Sequence, residues 1–235
     1  MKFKATSPTW LYLLGVLCSM FLAAAPAPAE SGDLEAVLKR MDQTAATFRS
    51  AQAKFTWIQY NSVVNDIADT QTGVIYFRRS DGEIQMAADI AQPDQKQVMF
   101  SHGKIQIFQT RTGTVDVYDA GSHREEFESF LVLGFGGGGH EMLKSFEVKY
   151  LKEEALAGVH AAELDLIPKS EKVKQMFSHI QLWISIETGL SVQQQLFQSN
   201  GDYRLAKYSA IQLNHKISEN AFKLKTPASA RVVTH

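Results

Sequence analysis

Histidine is the side chain best suited to bind a metal or carry a proton near neutral pH, and this chain has seven. They stand singly at positions 102, 123, 140, 160, 179, 215 and 235, with no pair at metal-ligand spacing. His140-Glu141 lacks the second histidine that would make a zinc-protease helix. No G-x-S-x-G occurs, so there is no nucleophile elbow. The run Gly136 to Gly139 is followed by no G-K-[ST], as a phosphate loop would require. Glu125-Glu126 and Glu153-Glu154 are adjacent, and neighbours do not face one another on a helix or a strand, so they make poor acid–base pairs. These absences predict a protein that is not an enzyme and has no catalytic residue, metal site or cofactor.

What remains is apolar chemistry. Arg124 to Gly134 places Phe127, Phe130, Leu131 and Gly134 at helical spacing, and Phe130-Leu-Val-Leu-Gly-Phe135 is more apolar than one surface helix needs. Gly136 to Gly139 follows as an expected flexible hinge, because glycine accepts almost any backbone angle. Glu141 to Ser145 reads as a second short helix. An apolar segment beside a hinge predicts a movable lid.

The elements that must position this lid follow from periodicity. Leu34, Val37, Leu38, Met41, Ala45 and Phe48 form one stripe, predicting a helix over Asp33 to Phe48 capped by Ser31 or Asp33. The period then changes to two. Gly73 to Arg79, Ile84 to Ile90, Ile105-Ile107, Val115-Val117, Phe146 to Tyr150, Ala162 to Leu166, Ile180 to Ile186, Val192 to Gln198 and Tyr203 to Leu213 read as strands. Ser80-Asp81-Gly82, His102-Gly103, Thr112-Gly113, Thr188-Gly189 and Ser199 to Asp202 supply the turns. Many strands at short spacing predict an antiparallel meander, which must curl to manage its edges. Such a curled sheet either fills its interior with side chains or leaves room for an apolar ligand; the lid segment favours a cavity.

The N-terminus predicts export. Lys2 and Lys4 precede thirteen almost unbroken apolar residues, Trp10 to Leu22, and Ala27-Pro28-Ala29 has the A-x-A pattern of a signal-peptide cleavage site. The run is short for a bilayer span, which takes about 20 residues. Cleavage is expected after Ala29, with Ala25 the alternative. Cys18, the chain's one cysteine, follows Leu17 within this apolar core, a context unlike lipid attachment. The mature chain would then have no thiol for disulfides or thiolate chemistry. Residues 30–235 are expected to form one domain. Removing Lys2 and Lys4 from the 24 basic residues leaves 22 against 25 acidic, a net charge of −3. That is no electrostatic footprint for nucleic acid.

With these elements in order, the chain resembles the LolA family of periplasmic outer-membrane lipoprotein carriers. The resemblance covers about residues 33–227. It lies in Ala53-Lys-Phe-Thr-Trp-Ile-Gln59, in Gly73-Val-Ile-Tyr-Phe-Arg-Arg79, and in Met86, Gln92-Pro93-Asp94 and Ser101-His-Gly-Lys104. Phe222-Lys-Leu-Lys-Thr-Pro227 is similar to the family's closing strand. The implied fold is mainly β with α: a half-open antiparallel β-barrel of about 11 strands with an N-terminal helix and a helical lid. The implied function is a periplasmic chaperone that holds lipoprotein acyl chains in an apolar cavity. It would be a monomer that takes cargo from an inner-membrane ABC transporter and passes it to an outer-membrane acceptor. The resemblance gives Arg79 the role of holding the closed lid by hydrogen bonds. Arg79 shares parity with Ile75 and Phe77, so it faces either the cavity, where its donors meet lid carbonyls, or water at the rim. The expected lipid-contacting and lid residues are Arg79, Ile84, Met86, Phe108, Phe127, Phe130, Leu131, Leu133 and Phe135. The sequence departs from the family where Ser80 stands in place of a proline and where the lid is glycine-rich. The alternative is a periplasmic lipid- or lipoprotein-sensing regulatory module of the envelope-stress type. Related barrels of that kind usually carry a second domain, for which this sequence shows no segment.

Overall fold

A computed structural model of the chain describes residues 30–80, 82–119, 121 and 132–235. The signal-peptide reading lies outside them, as do Phe127, Phe130 and Leu131.

The first helix, α1 (Glu30–Thr47), is already formed at Glu30, ahead of the expected start at Asp33. Its predicted stripe is the face that docks: Val37, Leu38 and Met41 are buried, and Leu34 packs beside them. Six strands follow: β1 (Ser50–Asn61), β2 (Asp66–Ser80), β3 (Glu83–Gln92), β4 (Lys96–Ser101), β5 (Lys104–Gln109) and β6 (Thr114–Asp119). After the crossover come α2 (Gly139–Ser145), β7 (Phe146–Leu156), β8 (Val159–Pro168), α3 (Glu171–Met176), β9 (His179–Ser185), β10 (Ser191–Phe197) and β11 (Tyr203–Leu213). A 3₁₀ turn over Glu219–Phe222 and β12 (Arg231–Thr234) complete the chain. None of the described helices is long and apolar enough to cross a membrane.

The twelve strands among the described residues form one sheet in the order β12-β6-β5-β4-β3-β2-β1-β11-β10-β9-β8-β7, and it is not closed. It is a half-open barrel wrapped around helices. Within β1–β6 and within β7–β11 consecutive strands pair antiparallel; the long-range antiparallel pair β1–β11 joins the two halves. β12 departs from the expected pattern, running parallel to β6.

The expected closing strand at Phe222–Pro227 is not a strand. Phe222 ends the 3₁₀ turn and is buried against Tyr76, with the Arg78 guanidinium 4.1 Å from its ring centroid. Lys225 then donates its backbone N–H to the Gln97 side chain rather than to a ladder carbonyl. Anchored by these side chains, the segment crosses the outer face as a strap, and only Arg231–Thr234 regains pairing.

Two core clusters occupy the concave side. One joins α1 and α2 to β8 and β9 through Leu38, Met41, Met142, Leu164, Leu182 and their neighbours. The other covers β1 to β4 with Ala53, Phe55, Ile75, Phe77, Met86 and Phe100. β6 and β7 lie at opposite ends of the strand order, and the described end of the connection between them, residues 132–138, lies against this concave face.

Candidate functional site

That connection ends in a tight wedge, residues 132–138. Phe135 has no exposed surface; its ring stacks on Phe77 with centroids 4.4 Å apart and meets Tyr208 edge-on at 4.9 Å. Leu133 is buried in the other core cluster. Alternate residues of one short segment thus plug both halves of the interior. Full burial of side chains this size contributes roughly 1.5–3 kcal/mol each.

The wedge is held through its backbone. Arg79 donates from Nη2 to the Gly136 carbonyl at 2.9 Å. From the other half, Gln194 Nε2 donates to the Leu133 carbonyl at 2.6 Å, and the Ser191 N–H to the Gly134 carbonyl at 2.9 Å. These are three carbonyls of a non-helical turn, each needing a donor once water is excluded. Arg79 therefore lies on the inward face, as its parity with Ile75 and Phe77 allows, yet it stays exposed at the rim, and its partner is a turn carbonyl rather than a helix end.

The glycine run does not have the structural role expected of a free hinge. A Cβ on Gly136 would lie 2.7 Å from Phe48 and 2.8 Å from Ile84; on Gly139, 2.4 Å from the Leu38 carbonyl oxygen; on Gly138, 2.9 Å from Asp42. A Cβ on Gly134 would meet the Ser191 Cβ at 2.4 Å. Gly137 alone of the four-glycine run has ordinary room. These glycines let the backbone press against α1 and the sheet.

Ile84 and Met86 lie on the same face as Arg79 and Phe77, since the register pairs Arg79 with Ile84 and Phe77 with Met86. Phe108 does not join them. It pairs with Gln97, which pairs with Asp89, and all three face the outer side, where Phe108 lines a cleft with Lys225 of the strap. The concave residues of β5 are Ile105 and Ile107, opposite Phe100 and Val98. Phe108 is buried because the strap side of the sheet is also covered.

Gln194, Tyr208 and Trp57 are site residues that the sequence does not reveal. The Tyr208 hydroxyl lies 3.4 Å from Gln194 Oε1, which ties the floor of the barrel to the wedge. Burial pushes the Tyr208 phenol far above its ordinary value, and the Trp57 hydrogen bond only partly offsets this, so it stays neutral. Gln194 reaches the interior because of a bulge between Ser191 and Gln193. Val192 packs on the outer side with Trp183, whereas Gln194, two residues on, opposes Leu182 inside.

A cleft of about 600 Å³ opens beside the wedge. Its walls are apolar at Met41, Ile84, Leu133, Met142 and Phe146, with Arg79, Glu83, Glu141 and Lys144 among its charged lining. Where α2 begins, His140 is gripped by α1. Its Nδ1 contacts Asp42 Oδ2, its Nε2 lies 3.2 Å from Glu35 Oε2, and its backbone N–H donates to Asp42 Oδ1 at 3.2 Å. Hydrogen bonding to Asp42 first, then to Glu35, raises the His140 pKa above its ordinary value. Among the described residues, no group of three or more His, Cys, Asp or Glu side chains is arranged to hold a metal.

No protein-family model and no curated protein matches the sequence. Solved structures do. MucB is 18% identical over 86% of this chain at a TM-score of 0.54, and the chain spans 66% of that protein's length. An uncharacterized conserved protein from Thermus thermophilus is 10% identical, covering 86% of this chain and 99% of its own, at 0.55. A putative outer membrane lipoprotein-sorting protein domain from Vibrio parahaemolyticus is 11% identical over 80% of this chain and 95% of its own, at 0.43. The unclosed curled sheet wrapped around its helices is the fold that this chain shares with MucB and the Thermus thermophilus protein.

Proposed function

We propose that this protein is a non-enzymatic periplasmic carrier. It holds the acyl chains of lipoproteins on its concave face and shuttles them from an inner-membrane ABC transporter to an outer-membrane acceptor. One observation carries this reading: the apolar interior is plugged by Leu133 and Phe135, which belong to a crossover segment rather than to the sheet. Displacing that segment would bare an apolar floor of Ala53, Phe55, Ile75, Phe77, Met86 and Phe100. Each CH₂ of an acyl chain laid there gains about 0.8 kcal/mol, so a handful of methylenes can replace what the plug contributes. Arg79 sets the balance by stabilising the closed state alone, and a ligand shifts the equilibrium only by its preference for the open one. Met86 suits a site that accepts varied chains.

The test is co-purification of the mature protein with native lipoproteins, followed by analysis of bound acyl species. Stoichiometric acyl cargo supports the carrier; a protein that binds neither lipoprotein nor free acyl chains would overturn it. The similarity to MucB favours a second reading, a lipid-responsive regulatory module, because a solved structure pairs MucB with MucA(peri). Retrieval of a membrane signalling protein in place of a transporter would select that reading.

A further inference from the structure

We propose that His140, clasped between Glu35 and Asp42 where α2 begins, is a proton-controlled fastener that holds the glycine segment against α1 in acid and releases it as the pH rises. This rests on the reading of the concave face beneath the wedge as the acyl site, whose regulation it describes.

Beyond the bonds that Gln194 and Ser191 make to Leu133 and Gly134, side chains hold the glycine run at its two ends. At Gly136 the partner is an arginine, which keeps its charge at every physiological pH. At His140 the partner is an imidazole, which does not. The clasp is bidentate: α1 presents Glu35 and Asp42 two turns apart, and the imidazole fits between them with one nitrogen on each. A neutral imidazole has one N–H and can donate to only one carboxylate; the second contact needs the second proton. Asp42 also takes the His140 backbone N–H, so its carboxylate marks the start of α2. At that point Gly139 touches the Leu38 backbone so closely that no side chain would fit. Loosening the clasp therefore lets α2 lift from α1, and α2 supplies Glu141, Met142, Lys144 and Ser145 to one wall of the cleft.

The other charges facing this point do not duplicate the switch. On α2, Lys144 pairs with Glu141 at 3.8 Å. On α1, Lys39 lies one turn from both Glu35 and Asp42. The strand packed on both helices, β7, contributes Phe146, Val148 and Tyr150 to the shared core. The Tyr150 hydroxyl is held neutral by burial and by Glu153 and Asp33. The sign follows from the clasp. His140 favours its charged form in the folded protein, so its contribution is complete below the ordinary histidine value. It is lost as pH rises through the higher folded value.

The experiment uses the full chain and N-phenyl-1-naphthylamine, an uncharged apolar fluorophore, titrated between about pH 5.5 and about pH 9. Alongside it, hydrogen exchange of the Gly137 to Met142 amides, corrected for the intrinsic pH dependence of exchange, reads closure without a ligand. The wild type should bind the probe about three- to tenfold more tightly at the alkaline end. Amide protection should fall across the midpoint at which the His140 ring titrates by NMR. In His140→Gln both dependences should flatten, and in Glu35→Gln the midpoint should move down toward the ordinary histidine range. Protection that does not change with pH, or a pH dependence that survives in His140→Gln, would overturn the fastener whether or not the probe binds. A probe that binds at no pH, with protection still tracking His140, would leave the fastener standing and overturn the carrier reading.

Discussion

Two adjacent arginines leave β2 on opposite faces, and each anchors a different cover. Arg78 points outward: Nε donates to Gln85, Nη1 pairs with Glu219 at 2.5 Å, and the guanidinium lies over Phe222. Arg79 points inward to the wedge. Arg79→Leu removes the Gly136 bond and leaves that carbonyl near apolar groups. The closed state should weaken by about 1 kcal/mol, allowing for the exposure of Arg79. Apolar probe affinity should then rise about fivefold, as measured by fluorescence titration, with slower release to an acceptor. Phe135→Ala removes the stacked ring from a fully buried site. It should cost about 3–5 kcal/mol in urea unfolding, and added acyl ligand should restore part of the loss. Parity from Ile75 and Phe77 makes the inward face of Arg79 readable in the sequence. The outward face of Phe108 is not readable there, because it depends on how β5 is registered through β4 to β3. Gln194 is hidden for a similar reason: the bulge at Ser191–Gln193 breaks the alternation that links it to Val192.

At the scale of elements, the helix stripe, most strands and their turns are legible, since each rests on local periodicity. The glycine run is legible as unusual but not in its purpose. Only the packed structure shows that Gly134, Gly136, Gly138 and Gly139 are close-approach sites. The two readings separate experimentally. Gly139→Ala must push α2 away from Leu38 and should destabilise the fold by about 1–3 kcal/mol, whereas Gly137→Ala should be nearly silent in thermal unfolding. The strap reads as a strand because Phe222-Lys-Leu-Lys alternates, yet its anchors are Tyr76, Arg78 and Gln97 on the outer face. Arg78 holds the Glu219 carboxyl below its ordinary value, so this anchor is complete above the ordinary glutamate range and fades as pH falls through the folded value. Limited proteolysis between Ile217 and Ala230 should therefore accelerate in acid, and Arg78→Ala should remove that pH dependence.

For the whole molecule, the same sheet is covered twice. The strap ties β12 to β6 across the outside, and the wedge of residues 132–138 lies on the inside. The outside cover is fixed by a ring, an ion pair and a parallel strand. The inside cover is fixed mainly through carbonyls and two buried side chains. Acyl ligand should therefore raise hydrogen exchange in 132–138 while leaving 219–234 unchanged. Equal loosening of both covers would mean that the sheet, rather than the wedge, yields.

The crossover is fastened to the sheet at both ends, through β6 on one side and β7 on the other. A plug tethered in the chain on both sides stays attached when it is displaced. Whatever replaces Leu133 and Phe135 must therefore share the interior with them. Under the carrier reading, slender tails suit that space and a folded body does not.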